Sequence, residues 1–249
     1  MAARVVLVVA SAHDTVASAF VRRYARQGVR LLQPRDLSTP GWRYELGASV
    51  GPSRAVVAGR QCSEEQLAGV ITRLASVTPS DLPHIDPGDR AYVAVEMTAF
   101  LVAWLERLSC PVLNRPTPVC LAGEWYSPQT WVHRAHRLGI PVANREWSAM
   151  RGLRTKVADP LVAGERSTTS ITVVGSKAIG RAAACVMQYA RTLVRAAELD
   201  LATVSFSSPN NDARFLDLSL WTDLADPTIA AAVMRQVMRP CQSIRTEAV

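Results

Sequence analysis

The best candidate for a ligand-binding site in this sequence is a pair of arginines with an asparagine. The tripeptide Asn114-Arg115-Pro116 follows the apolar segment Pro111–Leu113, and Arg73 ends another apolar segment. Open α/β sheets bind ligands in the loops at the carboxyl ends of their strands, which is where these residues are expected to lie. An anion or a peptide carboxylate near Arg73, Asn114 and Arg115 is therefore one interpretation. In the other, Asn114 and Pro116 only form a turn and Arg115 is a surface residue.

The other residues with reactive side chains are spaced for structural roles. His133 and His136 are three residues apart, as on one helix, but no third metal ligand is nearby, which favours a solvated face. His13 and Asp14 are better explained as a helix start than as a catalytic dyad. The segment Val174–Lys177, followed by Gly180, lacks the spacing of a phosphate-binding loop, so we interpret it as a turn.

The five cysteines are widely spaced and include no C-x-x-C pair. Zinc sites and disulfide frameworks need closer or paired cysteines, so neither is expected. No cysteine has an obvious histidine partner in the sequence, which argues against a nucleophile. We interpret most of them as small buried hydrophobic residues.

The chain is basic, with a formal net charge of +7. Its basic residues are scattered and are almost all arginine, and no motif of the RRM, KH or helix-turn-helix kind is present. These observations argue against nucleic-acid binding. They favour a solvated basic surface or an acidic partner.

No apolar stretch is long enough to span a bilayer. The N-terminal run that includes Val5–Ala10 is followed by His13 and Asp14 without a small-residue cleavage pattern. That run is more typical of a buried strand than of a signal peptide. We therefore expect a cytoplasmic protein that does not use a membrane.

The first half of the sequence predicts an α/β domain with a parallel sheet. Arg4–Val9 is nearly all apolar, as in a strand buried on both faces. Asp14 is placed to cap a helix that ends at Gly28, and Val29–Leu32 predicts a second strand. A β-α-β opening predicts parallel strands joined by a right-handed crossover.

Further along the first half, Trp42–Leu46 and Ala55–Ala58 predict a small inserted hairpin. A helix is expected over Tyr92–Leu108, and Pro111–Leu113 predicts a strand. Trp125, Tyr126 and Trp131 form an aromatic cluster in the sequence, either an interdomain core or a partner anchor.

The second half has a different order of elements. A helix capped by Ser127 is followed by an irregular connection over residues 145–166. The remaining predicted elements are the strand Ser170–Val174, the helix Arg181–Glu198, the strands Ala202–Phe206 and Arg214–Leu220, and a last helix capped by Asp226. We place a domain boundary near residue 125, giving domains 1–125 and 126–249.

These segments together resemble the ATP-grasp superfamily, in particular its glutamate-ligase-like peptide and amino-acid ligases. In the first half, the segments that resemble the family are Gly69–Arg73, Tyr92–Glu96, Pro111–Pro116 and Ser127–Val142. In the second half they are Ile171–Gly175, Leu199–Phe206 and Arg214–Leu220. The resemblance implies a parallel-sheet pre-ATP-grasp-like domain followed by a smaller α+β remnant of the ATP-grasp C-terminal lobe.

The resemblance also implies a chemistry from which this sequence departs. Such ligases form an acyl phosphate from ATP and a carboxylate, with Mg²⁺ on hard oxygen ligands. Only 28 residues separate Val142 from Ile171, where the family has its ATP-binding subdomain with two lysines, and the chain's two lysines are Lys156 and Lys177. On the strands that carry the metal ligands in the family, Ser205 replaces an acidic residue and Asp217-Leu218-Ser219 replaces Glu-x-Asn. Asp217 is the one acidic metal ligand that the resemblance leaves, as a vestige.

We therefore expect a diverged, non-catalytic ATP-grasp-like protein that serves as a recognition or accessory subunit. No cofactor is expected, and the partner would be a peptide substrate, a second copy of the chain or a full-length ATP-grasp ligase. The alternative is an ATP-dependent carboxylate–amine ligase whose site is reduced or is completed by a partner. That alternative requires ATP and Mg²⁺ as cofactors.

Overall fold

The structure, a computed structural model, describes residues 4–45, 53–143 and 168–239. The chain forms two compact units, one made of residues 1–125 and 223–249 and the other of residues 126–222. Each unit contains a four-stranded sheet, parallel in the first and antiparallel in the second. The predicted fold class, a parallel α/β domain followed by a smaller α+β domain, is confirmed.

The first unit contains six strands and three α-helices among the described residues. The strands are β1 (Val5–Ala10), β2 (Val29–Leu32), β3 (Arg54–Val57), β4 (Arg60–Ser63), β5 (Leu67–Arg73) and β6 (Val112–Leu113). The helices are α1 (Thr15–Tyr24), α2 (Arg90–Arg107) and α5 (Pro227–Val237).

The parallel sheet has the strand order β2-β1-β5-β6. Because β1 and β5 are the central strands and are covered on both faces, they are apolar along nearly their whole length, as predicted for Arg4–Val9. Asp14 accepts a hydrogen bond from the backbone N–H of Ala17 and starts α1 as predicted. The core beneath α2 includes the fully buried Trp104 and Leu105.

The inserted hairpin is built differently from the prediction. β3 pairs with β4, and Arg43 of the predicted strand Trp42–Leu46 pairs with Arg54 of β3 in one antiparallel bridge, while Leu46 lies outside the described residues. The turn is made by Ala58 and Gly59 at φ of 49° and 74°. Two successive residues with positive φ form the tight turn of a two-residue hairpin loop. Because this loop is so short, the sequence pattern predicts Ala58 as the last residue of a strand.

The last helix, α5, belongs to the first unit, whereas the sequence analysis placed it in the second half. It packs against β5 at Gly69, where an added Cβ would overlap the backbone oxygen and side chain of Val237. Asp226 caps α5 as predicted by accepting hydrogen bonds from the backbone N–H groups of Thr228 and Ile229.

The second unit contains two helices and four strands among its described residues. They are α3 (Pro128–Arg137), β7 (Thr169–Val174), β8 (Lys177–Ile179), α4 (Ala184–Ala196), β9 (Leu201–Phe206) and β10 (Phe215–Ser219). The strand order is β10-β9-β7-β8. β8 was not predicted, because Val174–Lys177 was interpreted as a turn that ends a strand. The segment is the turn of a hairpin, and Val174 of β7 pairs across it with Lys177 of β8.

One face of the antiparallel sheet is apolar, and the other, called here the polar face, carries hydroxyl groups along most of its length with Val174 and Leu201 at one end. Ile171, Val173, Val204 and Leu218 are buried, α3 packs on β10, and α4 packs on the other three strands. The irregular connection predicted over residues 145–166, with Lys156, lies outside the described residues. Within the described residues, no helix is long and apolar enough to cross a membrane.

Candidate functional site

Arg73 is buried inside the first unit. Its Nε donates to Oδ2 of Asp14 at 2.9 Å, and the two side chains are 5% and 14% exposed. Asp14 uses its other carboxylate oxygen to cap α1. Arg73 therefore fastens the loop after β1 to the end of β5, and a guanidinium held in this way is not displayed to solvent.

Asn114 is also buried, at 2% exposure. Its side-chain amide donates to the backbone oxygen of Ala122 at 2.9 Å, and its own backbone oxygen accepts from the hydroxyl of Thr72. These bonds hold the loop after β6 against β5. The side-chain NH2 group and the backbone oxygen of Asn114 are thus both bonded within the fold.

Arg115 is exposed and lies at the carboxyl end of α2. Its guanidinium donates to the backbone oxygens of Leu105, Glu106 and Leu108, at 3.1–3.4 Å. The last carbonyls of a helix have no partner within the helix, and an arginine there also interacts favourably with the helix dipole. Arg115 therefore caps α2, and the anion binding predicted for it stays a prediction.

A cavity of about 530 Å³ does open at the carboxyl edge of the parallel sheet, but other residues line it. The lining residues are Ala12, His13, Gln33, Pro34, Arg35, Ser38, Thr39, Ser80, Asp81, Pro83 and His84. They come from the loops after β1, β2 and β5. These lining residues were not predicted as a site, because they come from three loops that are far apart in the sequence.

Asp81 is the most constrained polar group of this cavity. It accepts a hydrogen bond from the Ser11 hydroxyl at 2.6 Å and two from Thr78, through its hydroxyl at 2.7 Å and its N–H at 3.0 Å. Partial burial acts to raise the pKa of Asp81, but these hydrogen bonds and the charge of His13 lower it overall. Asp81 is therefore held as a carboxylate at neutral pH.

The polar face of the antiparallel sheet is rich in hydroxyl groups. Residues that pair across antiparallel strands lie on the same face, and the pairs Thr172–Thr203, Ser170–Ser205 and Thr203–Ser219 define this one. The hydroxyl oxygens of Thr172 and Thr203 are 2.9 Å apart. The sequence signal for this face is a hydroxyl at every second residue, at 170 and 172 and again at 203 and 205.

Asp217 lies on the polar face of the antiparallel sheet and is exposed. Its cross-strand partner is Ser205, and Ser219 follows it on the same face of β10. The two strands that the family resemblance assigned to metal binding are therefore paired as expected. They bring one carboxylate together with hydroxyl groups.

Lys177 begins β8 and stands opposite Val174, on the same face of the sheet. Three strand spacings and four residues along the strand separate it from Asp217, which places their Cα atoms roughly 20 Å apart. The sequence predicts a turn at Val174–Lys177, and the structure places Lys177 at the start of a strand. It lies too far from Asp217 to share one ion with it.

No set of three histidine, cysteine, aspartate or glutamate side chains within the described ranges is grouped closely enough to hold a metal ion. His133 and His136 are both exposed on α3, in keeping with the solvated face predicted for them. Cys62 and Cys120 are buried, and burial raises the pKa of each thiol, so both behave as small apolar residues.

No protein family matches the sequence, and no curated protein does. Solved structures do match the fold. The macrocyclase MdnC from Microcystis aeruginosa MRC, bound with the precursor peptide MdnA, superposes with a TM-score of 0.68 at 13% identity over 95% of this chain and 100% of that chain. The fold is that of the ATP-grasp ligases.

Two further structures agree. A RiPP-associated ATP-grasp ligase from Chryseobacterium gregarium, in complex with ADP and a leader and core peptide, gives a TM-score of 0.63 at 10% identity over 96% of this chain and 98% of that chain. The ATP-grasp ligase PsnB, complexed with a minimal precursor, gives 0.63 at 14% identity over 94% and 99%. At such identities the comparison establishes the fold alone.

Among the described residues, those on the polar face of the antiparallel sheet supply few donors for a magnesium–nucleotide site. Mg²⁺ needs near-octahedral oxygen ligands and is usually bound through carboxylates together with phosphate oxygens. On the polar face, Asp217 is the one carboxylate among the described residues of β9 and β10, and the neutral side chains of Ser205 and Ser219 lie beside it. Neutral hydroxyls do not supply the charge that would balance a divalent ion and orient a triphosphate.

Proposed function

We propose that this protein is a non-catalytic ATP-grasp-like recognition protein that binds a peptide without using Mg·ATP. The observation that carries the proposal is the pairing of Asp217 with Ser205 across β9 and β10. A metal site on these two strands would have one charged ligand, and the hydroxyls of Ser205 and Ser219 would have to take the places of stronger donors.

The peptide ligand is inferred from the structural neighbours. MdnC and PsnB were both crystallised with precursor peptides, and the Chryseobacterium gregarium ligase with a leader and core peptide. Because this chain shares their fold, those complexes support a peptide as its ligand. We propose that the protein acts as an accessory subunit in peptide modification, alone, as a homo-oligomer or beside a complete ligase.

The alternative function is an ATP-dependent carboxylate–amine ligase. The exposed carboxylate of Asp217 on the polar face favours it, since Mg²⁺ can be bound through one carboxylate together with substrate phosphates. The two functions differ in whether this chain alone binds nucleotide with magnesium.

Isothermal titration of the purified chain with ATP in the presence of Mg²⁺ tests the proposal. We expect a dissociation constant weaker than about 1 mM. The matched control is the triple variant Ser205→Asp, Asp217→Glu, Ser219→Asn, which restores the donor pattern and should bind Mg²⁺ more tightly than the wild type. Nucleotide binding by the wild-type chain below about 1 mM would favour the ligase and contradict the proposal.

A further inference from the structure

The charged residues on the two helices of the second unit are all basic. α3 contains His133, Arg134, His136 and Arg137, α4 contains Arg191 and Arg195, and neither helix contains an aspartate or glutamate. None of the four arginines forms a salt bridge with a described residue. Arg134 and Arg137 lie on the side of α4 that faces α3, and Arg191 and Arg195 lie on its opposite side, next to Glu198 and Asp200.

A groove of about 250 Å³ lies between the carboxyl-terminal halves of these helices. Its apolar wall includes Leu138, Leu193 and Ala196, and Arg134 and Arg137 line its edge. Leu138 is 39% exposed, which is high for a leucine beside a groove. We call this feature the basic groove.

The arginine at the inner edge of the basic groove is held in place before any ligand binds. The guanidinium of Arg134 lies 4.2 Å from the centre of the Tyr126 ring. Tyr126 in turn packs edge-on against the buried Trp131, with ring centres 5.0 Å apart. A stacked guanidinium loses little conformational freedom on binding a carboxylate.

The opposite side of α4 is also concave. A pocket of about 550 Å³ there is lined by Arg191 and Arg195 and by the acidic residues Glu198 and Asp200. The side chain of Arg191 is oriented by two hydrogen bonds to Gln188, at 2.7 and 3.2 Å. Arginines therefore flank the helix on both sides, over an area much wider than one small anion.

We propose that the basic groove binds an acidic amphipathic peptide segment in helical form. A helical peptide that inserts apolar side chains between two helices matches the apolar wall, and carboxylates along its edges match the arginines. The inference rests on the proposed function in one respect, because it names the chemistry of the peptide ligand. A basic chain that keeps arginines unpaired beside an apolar groove is complementary to an acidic partner and not to a neutral one.

Two other ligand classes fit the groove less well. Single-stranded nucleic acid needs exposed aromatic rings on which bases stack, and Trp131 is 2% exposed. Small-molecule sites are typically about 300–1,000 Å³ and enclose their ligand. The basic groove is smaller and open, which suits one or two side chains of a longer ligand.

Fluorescence anisotropy with labelled peptides tests the proposal on the full-length protein. The probe is an 18-residue helical peptide with leucines on one face and glutamates on the other. Two matched peptides replace either the leucines by serine or the glutamates by glutamine, and a single-stranded oligothymidylate of equal charge serves as the nucleic-acid probe. We expect binding of the first peptide only, weakening as salt rises.

Variants locate the binding site. Ala196→Glu places a carboxylate in the groove and should weaken binding by about tenfold or more, whereas Ala184→Glu, an exposed alanine about 18 Å along the same helix, should not. Arg137→Glu should weaken binding by about fivefold, and Arg22→Glu on α1 should leave it unchanged. Circular dichroism confirms that each variant is folded before it is compared.

The outcomes separate this inference from the proposed function. Equal binding by the leucine-free peptide or by oligothymidylate, or equal losses in Ala196→Glu and Ala184→Glu, overturns the groove as an acidic-peptide site. Binding of the acidic peptide at the groove together with tight Mg·ATP binding keeps the groove and removes the non-catalytic function. Absence of peptide binding together with absence of Mg·ATP binding removes the groove and leaves the loss of nucleotide binding in place.

Discussion

At the carboxyl edge of the parallel sheet, Arg73, Asn114 and Arg115 are each bonded to backbone or side-chain groups of their own unit. On the polar face of the antiparallel sheet, Asp217 is exposed and faces the hydroxyl of Ser205. In the first region the polar side chains bond to other groups of the fold and hold its loops together. In the second region the carboxylate of Asp217 is exposed to solvent. Charged residues at a sheet edge are therefore weak evidence of a ligand site until their partners within the fold are known.

Removal of Arg73 should have the largest effect on stability. Arg73→Ala leaves the carboxylate of Asp14 without its buried partner, and breaking a buried ion pair costs about 3–5 kcal/mol. Urea denaturation should show a loss near the lower end, because Asp14 also accepts a bond from the α1 backbone. A loss below about 0.5 kcal/mol would mean that Arg73 is free for a ligand, and the comparison of the two regions would fail.

Asn114→Ala should have the next largest effect. It removes the donor to the buried oxygen of Ala122 and leaves a cavity, which together cost about 2 kcal/mol. The free energy of unfolding from the same urea experiment measures it. Asn114→Asp is a useful second variant, since it keeps the size of the side chain but loses the donor, and it should be no more stable than the alanine variant.

Arg115→Ala should cost less, about 1 kcal/mol or below. It removes bonds from an exposed guanidinium to the last carbonyls of α2, which water can replace in part. Arg115→Lys keeps the charge at the helix end and should recover part of the loss. If Arg115→Ala instead left the unfolding free energy unchanged and abolished anion binding, Arg115 would be a ligand-binding residue.

Asp81 should make a small contribution that depends on pH. Because its pKa is lowered in the folded state, its stabilisation is present above the unfolded-state pKa of about 3.9 and is lost as pH falls through the lower folded value. The stability difference between wild type and Asp81→Asn should thus be constant from pH 5 to 7 and shrink below about pH 4. A difference that grows on acidification would show that the sign of the pKa shift is wrong.

Asp217→Ala should have the smallest effect, within about 0.5 kcal/mol, because the side chain is exposed on the polar face. Thermal unfolding followed by circular dichroism is sufficient to measure it. A destabilisation above about 1 kcal/mol would show that Asp217 has a structural partner. The two regions of the molecule would then not differ in the way described above.

The elements whose signals are local could be predicted from the sequence. Asp14, Ser127 and Asp226 each sit directly before a helix and accept backbone hydrogen bonds at its start. The apolar run of β1 identified a central strand for the same reason, since burial on both faces leaves a continuous apolar signature.

The candidate site depended on partners distant in sequence. Arg73 and Asp14 are 59 residues apart, and Asn114 meets Ala122 only because a loop returns to it. Nothing in the local sequence around Arg73 marks it as paired. The hairpin of β7 and β8 was also not predicted. The sequence pattern predicts that a strand ends at Gly175, but this residue, at φ 57°, forms a turn after which the chain continues as the next strand.

The decisive experiment is to soak a crystal of the chain with ATP and Mg²⁺. We expect no ordered phosphates or metal beside Asp217, because its neighbours Ser205 and Ser219 are neutral hydroxyls, which are weak ligands for magnesium. Phosphates ordered next to Asp217 and Ser205, with magnesium between them, would contradict it.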